Sequence, residues 1–520
     1  MTLNTPSGNS YSSMIARAWS RYWNGLRRFH ADRVGTVVLL FGLTLIPIMG
    51  FVGGAIDYAN AYRTRTKIQN ALDSAALAAG REVDNGSSEG NARQVAMDVF
   101  KANLGPNFPA GVSVNFNFDG TTVTADAGMA VDTYILGVLG IDKFDVGATA
   151  SVTISGGTVE VALVLDNSGS MRGSRIAALK DAAKQLTQTL FQNDRTKSSV
   201  KIGVVPFAAA VNVGPRYANA RWMDTGGQSS MHYENFDANT TRFALFNAMP
   251  GTSWEGCVEV RPSPHDVTDS DPVGGDSLFV PLFAPDEPDK GRRYNNSYLR
   301  DDGGSCGRPP RRETEEQAQE KTCKYDRARP SRRSGGPNYM CDPRPIQELT
   351  NTQGLVVSSI ENMQASGMTN IMEGVMWGWR ILSPGEPFTQ GLPYEEKDNR
   401  KYMIVMTDGA NTHTGTSTQN KSRYSAFGYA KNGRLTAPTS SRSRLVQAMN
   451  AKTLQGCTNA KDSNITVFTI AFNVNDRDTV DMLRQCASGS SRAYTIDNGA
   501  ALIALFEAIA DEINRLRITS

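Results

Sequence analysis

The stretch VEVALVLDNSGSM, residues 159–171, decides how the second half of the chain is interpreted. Its first seven residues are apolar apart from Glu160 and rich in valine, which is typical of a strand buried on both faces of a parallel sheet. The strand leads directly into Asp166, Ser168 and Ser170. An aspartate and two hydroxyls at alternate positions of a strand-to-helix turn can point at one spot, so the turn is a candidate cation site. An ordinary Asp-Ser-Gly turn is the alternative interpretation.

Two later segments match the same kind of site. The stretch GMTNIMEG, residues 367–374, places Thr369 at the expected N-cap of a helix that runs to about Leu382. The stretch KYMIVMTDG, residues 401–409, reads as a second buried strand that ends at an Asp-Gly turn. Together with D-x-S-x-S, these segments resemble the metal-ion-dependent adhesion site of von Willebrand factor A (vWA) domains. The resemblance implies the following metal ligands: Asp166, Ser168, Ser170, Thr369 and Asp408.

The residue types suit a hard divalent cation. Magnesium prefers six oxygen ligands at about 2.1 Å and gives up its waters reluctantly. By the resemblance, the hydroxyls bind directly, while the two carboxylates balance the charge of the ion. Mostly neutral direct ligands keep the cation electrophilic, with one position open for a carboxylate from a protein partner. We therefore expect Mg²⁺, with Ca²⁺ or Mn²⁺ as alternatives, in a site that binds rather than catalyses.

The remainder of residues 156–520 alternates predicted strands and helices. Strands are expected at residues 200–207, 464–472 and 492–496, and helices at residues 174–191, 479–486 and 500–515. This alternation predicts an α/β fold with a doubly wound, mostly parallel, Rossmann-like sheet, the class to which vWA domains belong. Such sheets bind ligands at the carboxyl ends of their strands, where Asp166 and Asp408 fall.

An insertion rich in proline, glycine and charge interrupts this pattern at about residues 208–345. All six cysteines lie in the second half of the chain without a C-x-x-C spacing, so disulfides in an oxidising compartment are favoured over a metal or redox centre. Cys457 and Cys486 flank one predicted strand and are expected to pair. The insertion contains the other four cysteines, which allow three pairings: Cys257, Cys306, Cys323 and Cys341. Because it precedes the Thr369 helix, the insertion is expected close to the metal face.

The N-terminal part contains one long uncharged segment. No residue from Val34 to Ile56 is charged, and this length is sufficient to cross the hydrocarbon core as a helix. Several arginines precede it, so the positive-inside rule places residues 1–33 in the cytoplasm and the bulk of the chain in the periplasm or outside the cell. We predict a retained single-pass anchor in a bacterial inner membrane. Cleavage by signal peptidase after Ala61 and a buried soluble helix are the alternatives.

A second resemblance lies around this segment. Asp32-Arg33-x-Gly35, the apolar run, Asp57-Tyr58 and the stretch IQNALDSAALAA, residues 68–79, are similar to the N-terminal region of TadG-like proteins of the tight-adherence (Flp) pilus system. The resemblance covers about residues 28–83. Residues 57–155 are expected to form a helix followed by a small β region, pilin-like in outline, with a hairpin at Asp119-Gly120.

Composition and missing motifs argue against other functional classes. Lys+Arg 54 against Asp+Glu 52 gives a net charge of +2, which provides no global field for capturing nucleic acid. The chain has only four histidines, and Ser168 does not lie in a G-x-S-x-G nucleophile elbow. A phosphate-binding G-x-x-x-x-G-K-[ST] loop is also missing. We interpret His413, which follows Asp408 closely, as a loop residue, and we expect no enzyme activity.

Together these features predict a membrane-anchored, divalent-cation-dependent protein-binding component of Flp pilus assembly or surface adhesion. Its expected partners are a protein that supplies a carboxylate to the metal and other pilus-assembly components. Two alternatives stay open: a vWA partner subunit of an ATPase or chelatase-type complex, and a secreted adhesin released by signal peptidase.

Overall fold

The chain forms two compact units, residues 1–155 and 156–520, in a computed structural model. The structure describes residues 34–84, 87–106, 108, 110–119, 122–153, 157–192, 199–289, 293–308, 310–330 and 335–518. The predicted cytoplasmic segment, residues 1–33, lies outside the described residues.

The N-terminal unit is built on one long helix, α1 (Val34–Asp84), which continues through Pro47. Its first half is apolar and exposed, whereas its second half buries small side chains such as Ala71 and Ala75. Because alanines let other elements approach closely, this half packs against helix α2 and a three-stranded antiparallel sheet in the order β1-β2-β3. The bounds are α2 (Glu89–Leu104), β1 (Ser113–Phe118), β2 (Thr122–Asp132) and β3 (Lys143–Thr153).

The second unit contains a six-stranded sheet in the order β6-β5-β4-β7-β8-β9. The strands are β4 (Thr158–Asp166), β5 (Val200–Phe207), β6 (Gln347–Thr350), β7 (Asn399–Thr407), β8 (Ile465–Phe472) and β9 (Ala493–Ile496). Every neighbouring pair is parallel except β5 with the edge strand β6. The β4 run is buried along nearly its whole length, as a central strand must be.

Helices cover both faces of this sheet. The helices of this unit are α3 (Ser174–Gln192), α4 (Arg242–Ala248), α5 (Glu315–Glu320), α6 (Gln353–Glu361), α7 (Ile371–Leu382), α8 (Arg442–Asp462), α9 (Arg477–Cys486) and α10 (Gly499–Ile518). Of these, α4 and α5 belong to the insertion. Side chains of α3, α6 and α10 share one core with the sheet, and those of α7, α8 and α9 share the other. The predicted α/β, doubly wound, mostly parallel fold is therefore confirmed.

The insertion has little regular structure but a well-packed interior. Aromatic side chains such as Trp222, Phe279 and Tyr325 are buried in the core on the α7 side of the sheet. The fully buried Arg242 is paired with Glu259, so even its charges are compensated. Three disulfides close loops in this unit: Cys257–Cys341, Cys306–Cys323 and Cys457–Cys486. The last is the pairing named from the sequence, and it joins α8 to α9.

Candidate metal centre

The turn after β4 lies at the middle of the carboxyl edge of the sheet. Numbered within this sheet, the strands have the order 3-2-1-4-5-6, and the winding direction reverses between β4 and β7. In doubly wound sheets a crevice opens at this point, outside the carboxyl ends of the strands. Asp166 ends β4, and Asp408 directly follows Thr407, the last residue of β7. The fold thus brings together two carboxylates that are far apart in sequence.

Hydrogen bonds join four of the predicted ligands. The Oγ atoms of Ser168 and Ser170 are 2.9 Å apart, and the Ser170 hydroxyl donates to Oδ1 of Asp408 at 2.6 Å. Asp166 Oδ1 accepts from the backbone N–H of Ser168 at 2.7 Å, while its Oδ2 accepts from the Thr407 hydroxyl at 2.6 Å. The side chains of five residues are called the oxygen cluster below: Asp166, Ser168, Ser170, Thr369 and Asp408.

Thr369 is placed by its backbone. The carbonyl of Gly367, two residues earlier, accepts from the N–H of Gly169 at 3.0 Å, so the loop before α7 lies directly against the D-x-S-x-S turn. The carbonyl of Thr369 itself accepts from the N–H of Thr412 in the loop after β7, at 2.8 Å. Thr369 therefore belongs to a loop held between the two segments that carry the carboxylates.

The predicted N-cap of α7 is wrong by one residue. Asn370, not Thr369, precedes the helix, and its side chain accepts from the backbone N–H of Glu373. Asparagine caps a helix start as well as threonine does. The consequence for the site is favourable, because the Thr369 hydroxyl is not used to cap the helix.

The two carboxylates are nearly inaccessible to water. Asp166 is 0% and Asp408 is 5% exposed. Burial, and then the negative charge of Asp408, raise the pKa of Asp166 to about 6, although hydrogen bonds from Thr407 and Ser168 act in the opposite direction. Arg175 in the first turn of α3 donates to Oδ2 of Asp408 at 2.7 Å. One guanidinium balances one of two buried carboxylates, so the cluster keeps a negative charge.

The oxygen spacing fits a small divalent cation. Neighbouring oxygens of an octahedral site with bonds of about 2.1 Å are about 3 Å apart. The Ser168–Ser170 and Ser170–Asp408 oxygens are separated by 2.9 and 2.6 Å, close to that value. In the part of the chain that the structure describes, no group of three or more His, Cys, Asp or Glu could hold a metal. A cation in this crevice would therefore need the hydroxyls.

Asn167, between the predicted ligands Asp166 and Ser168, is an unusual residue. Its side chain is fully buried, yet neither Oδ1 nor Nδ2 has a hydrogen-bond partner among the described residues. An unsatisfied buried amide costs free energy, and buried polar groups are usually paired with protein groups or with ordered water.

Two residues of the site, Thr407 and Arg175, were not identified from the sequence. Thr407 meets Asp166 because β4 and β7 pair in parallel register, with Leu165 opposite Met406, and this register is not visible in the sequence. Arg175 could have been noticed, since a cation in the first turn of a helix opposes the helix dipole and calls for a compensating partner.

The insertion contacts the loop that carries Thr369. Asp342 follows Cys341, which is bonded to Cys257, and its Oδ1 accepts from the Ser366 hydroxyl at 2.7 Å.

His413 lies in the loop after β7, but it is only 2% exposed, with its Nε2 3.3 Å from the Ser425 hydroxyl. Burial lowers the pKa of His413 to about 4.

Residues 35–82 match the family model of Flp pilus-assembly TadE/G-like proteins. This segment is TadE/G-like. It coincides with helix α1, and the match confirms over residues 35–82 the resemblance found in the sequence. Among the described residues, α1 is the one helix that is long and apolar enough to cross a membrane, as judged by length and composition. A comparison of the whole sequence with curated proteins finds no match.

Several solved structures are also similar to this chain. The vWF domain of the type V pili tip protein Mfa5 from Porphyromonas gingivalis is 11% identical with a TM-score of 0.33, and the match covers 69% of this chain and 95% of that domain. The pilus adhesin SpaC from Lactobacillus rhamnosus GG is 12% identical with a TM-score of 0.33 and covers 78% of this chain. The chain spans 34% of the SpaC length. The PilB minor pilin from Streptococcus sanguinis is 12% identical with a TM-score of 0.31, covering 78% of each chain.

Proposed function

We propose that this protein is a membrane-anchored, divalent-cation-dependent protein-binding component of Flp pilus assembly or surface adhesion. The observation that carries the proposal is the oxygen cluster, in which two buried carboxylates and aligned hydroxyls meet at the switch point of the sheet. The TadE/G-like match of residues 35–82 supports the pilus system as the biological setting.

Each residue of the cluster has a distinct part in this proposal. Ser168, Ser170 and Thr369 would hold the cation with neutral oxygens, and Asp166 and Asp408 would balance its charge. A divalent cation held in this way supplies Lewis acidity towards a carboxylate of the partner. Ser170 is exposed, whereas Asp166 and Asp408 are buried, so a partner would approach from the Ser170 side.

The cysteines support a location outside the cytoplasm. All six are paired in three disulfides, and such bonds persist in oxidising compartments. With α1 as the anchor, the second unit would then face the periplasm or the exterior. The three disulfides favour this orientation over a cytosolic ATPase partner.

Cation-dependent unfolding of the full chain in detergent micelles tests the proposal. Mg²⁺ at 100 times its dissociation constant should stabilise the folded protein by about 2.7 kcal/mol relative to EDTA. Asp166→Asn should abolish this gain, because it removes one of the two charges and keeps the side-chain volume. Asp181→Asn on the exposed face of α3 is the matched control and should respond like wild type. A wild-type protein indifferent to Mg²⁺ and Mn²⁺, or an unchanged response in Asp166→Asn, would overturn the proposal.

A further inference from the structure

The loop between β2 and β3 in the N-terminal unit exposes an unusual amount of apolar surface. Residues 133–141 contain no charge and are bounded by Asp132 and Asp142. The exposed fractions of its large side chains are as follows: Tyr134 76%, Val138 87%, Leu139 51% and Ile141 47%. Exposing so many large apolar groups on one short loop is unfavourable in water, and contiguous patches of this kind mark interaction sites.

The loop is fixed rigidly to helix α1. The buried carboxylate of Asp57 accepts backbone hydrogen bonds from Tyr134 at 2.9 Å, Ile135 at 2.9 Å and Leu136 at 2.8 Å. One turn earlier, a side chain on Gly53 would overlap with Ile135, so the glycine is needed for this close approach. The apolar surface of the loop therefore has a fixed position relative to the helix.

That position is beside the apolar half of α1. A Cβ atom on Gly50 would lie 3.3 Å from Leu139, and Gly50 is about 9 Å along the helix axis from Ile56, where the uncharged run ends. An apolar cleft of about 190 Å³ separates this part of the helix from the tip of the loop, between Met49 and Val138. Loop and helix thus present one continuous apolar surface, which includes the 82% exposed Phe51.

Polar and aromatic groups mark the border of this surface. Tyr58 and Tyr62 stack on α1 just beyond Asp57, with ring centroids 6.5 Å apart. At the base of the loop, Lys143 and Asp132 form an exposed ion pair at 3.7 Å. Tyrosines and charged groups at the end of an apolar surface are the arrangement found at a membrane–water interface.

We propose that the loop of residues 133–141 inserts into the bilayer leaflet next to the N-terminal unit, where it contacts lipid acyl chains alongside α1. The assignment rests on the membrane anchor of the proposed function. Lipid is favoured as the occupant because the loop surface continues that of the membrane-crossing helix without a polar break. A rigid second contact of this kind would set the height and tilt of the N-terminal unit on the membrane.

Spin labels on the full chain in phosphatidylcholine–phosphatidylglycerol liposomes test this insertion. Single Val138→Cys, Leu43→Cys and Ser151→Cys variants are labelled, with all native cysteines retained in their disulfides. Leu43 reports on the helix, and Ser151 is an exposed control on β3, about 26 Å along the strand from Lys143. Collisions with oxygen should exceed those with a water-soluble nickel complex severalfold at positions 43 and 138, with the opposite preference at position 151.

The pattern of labels separates the possible failures. A lipid-like label at position 43 with a water-like label at position 138 would overturn loop insertion and leave the anchor intact. Water-like labels at both positions would overturn the anchor of the proposed function and the insertion with it. A label at position 138 that neither reagent reaches, with spin–spin broadening, would show that a second copy of the chain covers the loop instead of lipid. Circular dichroism of each labelled variant checks that the fold is retained.

Discussion

Strand β4 carries a buried carboxylate near each end, and the two carboxylates differ in how their charges are compensated. Glu160, near the start, accepts from the ammonium group of Lys401 and from the backbone N–H of Leu392 at 2.9 Å. A second ammonium group, that of Lys201, lies 3.6 Å away. This charge is thus compensated by cations that belong to the chain itself, and burial of Lys401 in the same cluster lowers the pKa of that ammonium group.

Asp166, at the other end of the strand, faces a second carboxylate. Asp408 is paired with the partly exposed Arg175, but Asp166 accepts only from neutral groups. Buried charges are otherwise paired or bind metal ions. The amino end of β4 therefore carries a structural ion pair, whereas the carboxyl end lacks one positive charge that an external cation can supply.

The largest effect is expected at the structural end. Lys401→Ala leaves Glu160 buried with its nearest cation removed, so it should lower the free energy of unfolding by about 3 kcal/mol, with or without Mg²⁺. Lys184→Ala, which breaks a surface pair with Asp181, should cost less than about 1 kcal/mol. Urea unfolding of both variants measures the difference. A Lys401→Ala effect that appears only with bound cation would erase the contrast between the two ends.

The second effect concerns the cation-free protein. Asp166→Asn removes an uncompensated charge, keeps one acceptor oxygen for the Ser168 N–H and turns its amide N–H towards the Thr407 hydroxyl, which can accept. Its unfolding free energy in EDTA should therefore equal or exceed that of wild type by up to about 3 kcal/mol. Urea unfolding in EDTA at pH 7.5 gives the value. Marked destabilisation in EDTA would mean that Asp166 is a structural carboxylate like Glu160.

The third effect is a pH dependence of the stabilisation by Mg²⁺. Because the folded pKa of Asp166 is about 6, above its ordinary value of 3.8, the ionised group costs stability above pH 6, and this cost disappears as the pH falls towards 3.8. Protons then compete with the cation. The stabilisation by Mg²⁺ should therefore fall by about 1.4 kcal/mol between pH 7.5 and pH 5. Thermal unfolding at both pH values, with Asp166→Asn as the reference for other titrating groups, measures this change. A gain that is constant over this range would contradict the assignment.

The smallest effect should come from Arg175. Its guanidinium pairs with Oδ2 of Asp408 and thereby competes with an external cation, but it is 35% exposed, so solvent screens the pair. Arg175→Gln should tighten Mn²⁺ binding severalfold, as measured by titration calorimetry. Arg172→Gln, an exposed neighbour outside the ion pair, is the control. Weaker Mn²⁺ binding in Arg175→Gln would show that the guanidinium supports the cation site instead of competing with it.

The doubly wound, mostly parallel sheet could be predicted because long apolar runs such as residues 159–165 alternate with helical segments, whereas the strand order was not predicted. The edge strand β6 was missed, since its sequence QELT contains only one apolar residue. At the site, the five proposed ligands come from the resemblance to the vWA adhesion site. The Thr407–Asp166 contact could not be predicted because it depends on strand register, and the Arg175–Asp408 pair depends on where α3 begins. Residues 208–345 were the least predictable, because their packing is determined by disulfides and buried ion pairs rather than by periodic elements.

Crystals of the full chain grown with Mn²⁺, with data collected at the manganese absorption edge, show whether the oxygen cluster binds a divalent cation. We expect one anomalous peak within coordination distance of the hydroxyls of Ser168, Ser170 and Thr369. Asp166 and Asp408 should contact the ion directly or through water, and Arg175 should be displaced from Asp408. A crystal in millimolar Mn²⁺ that shows no peak in this crevice, with Arg175 still bound to Asp408, would contradict the account.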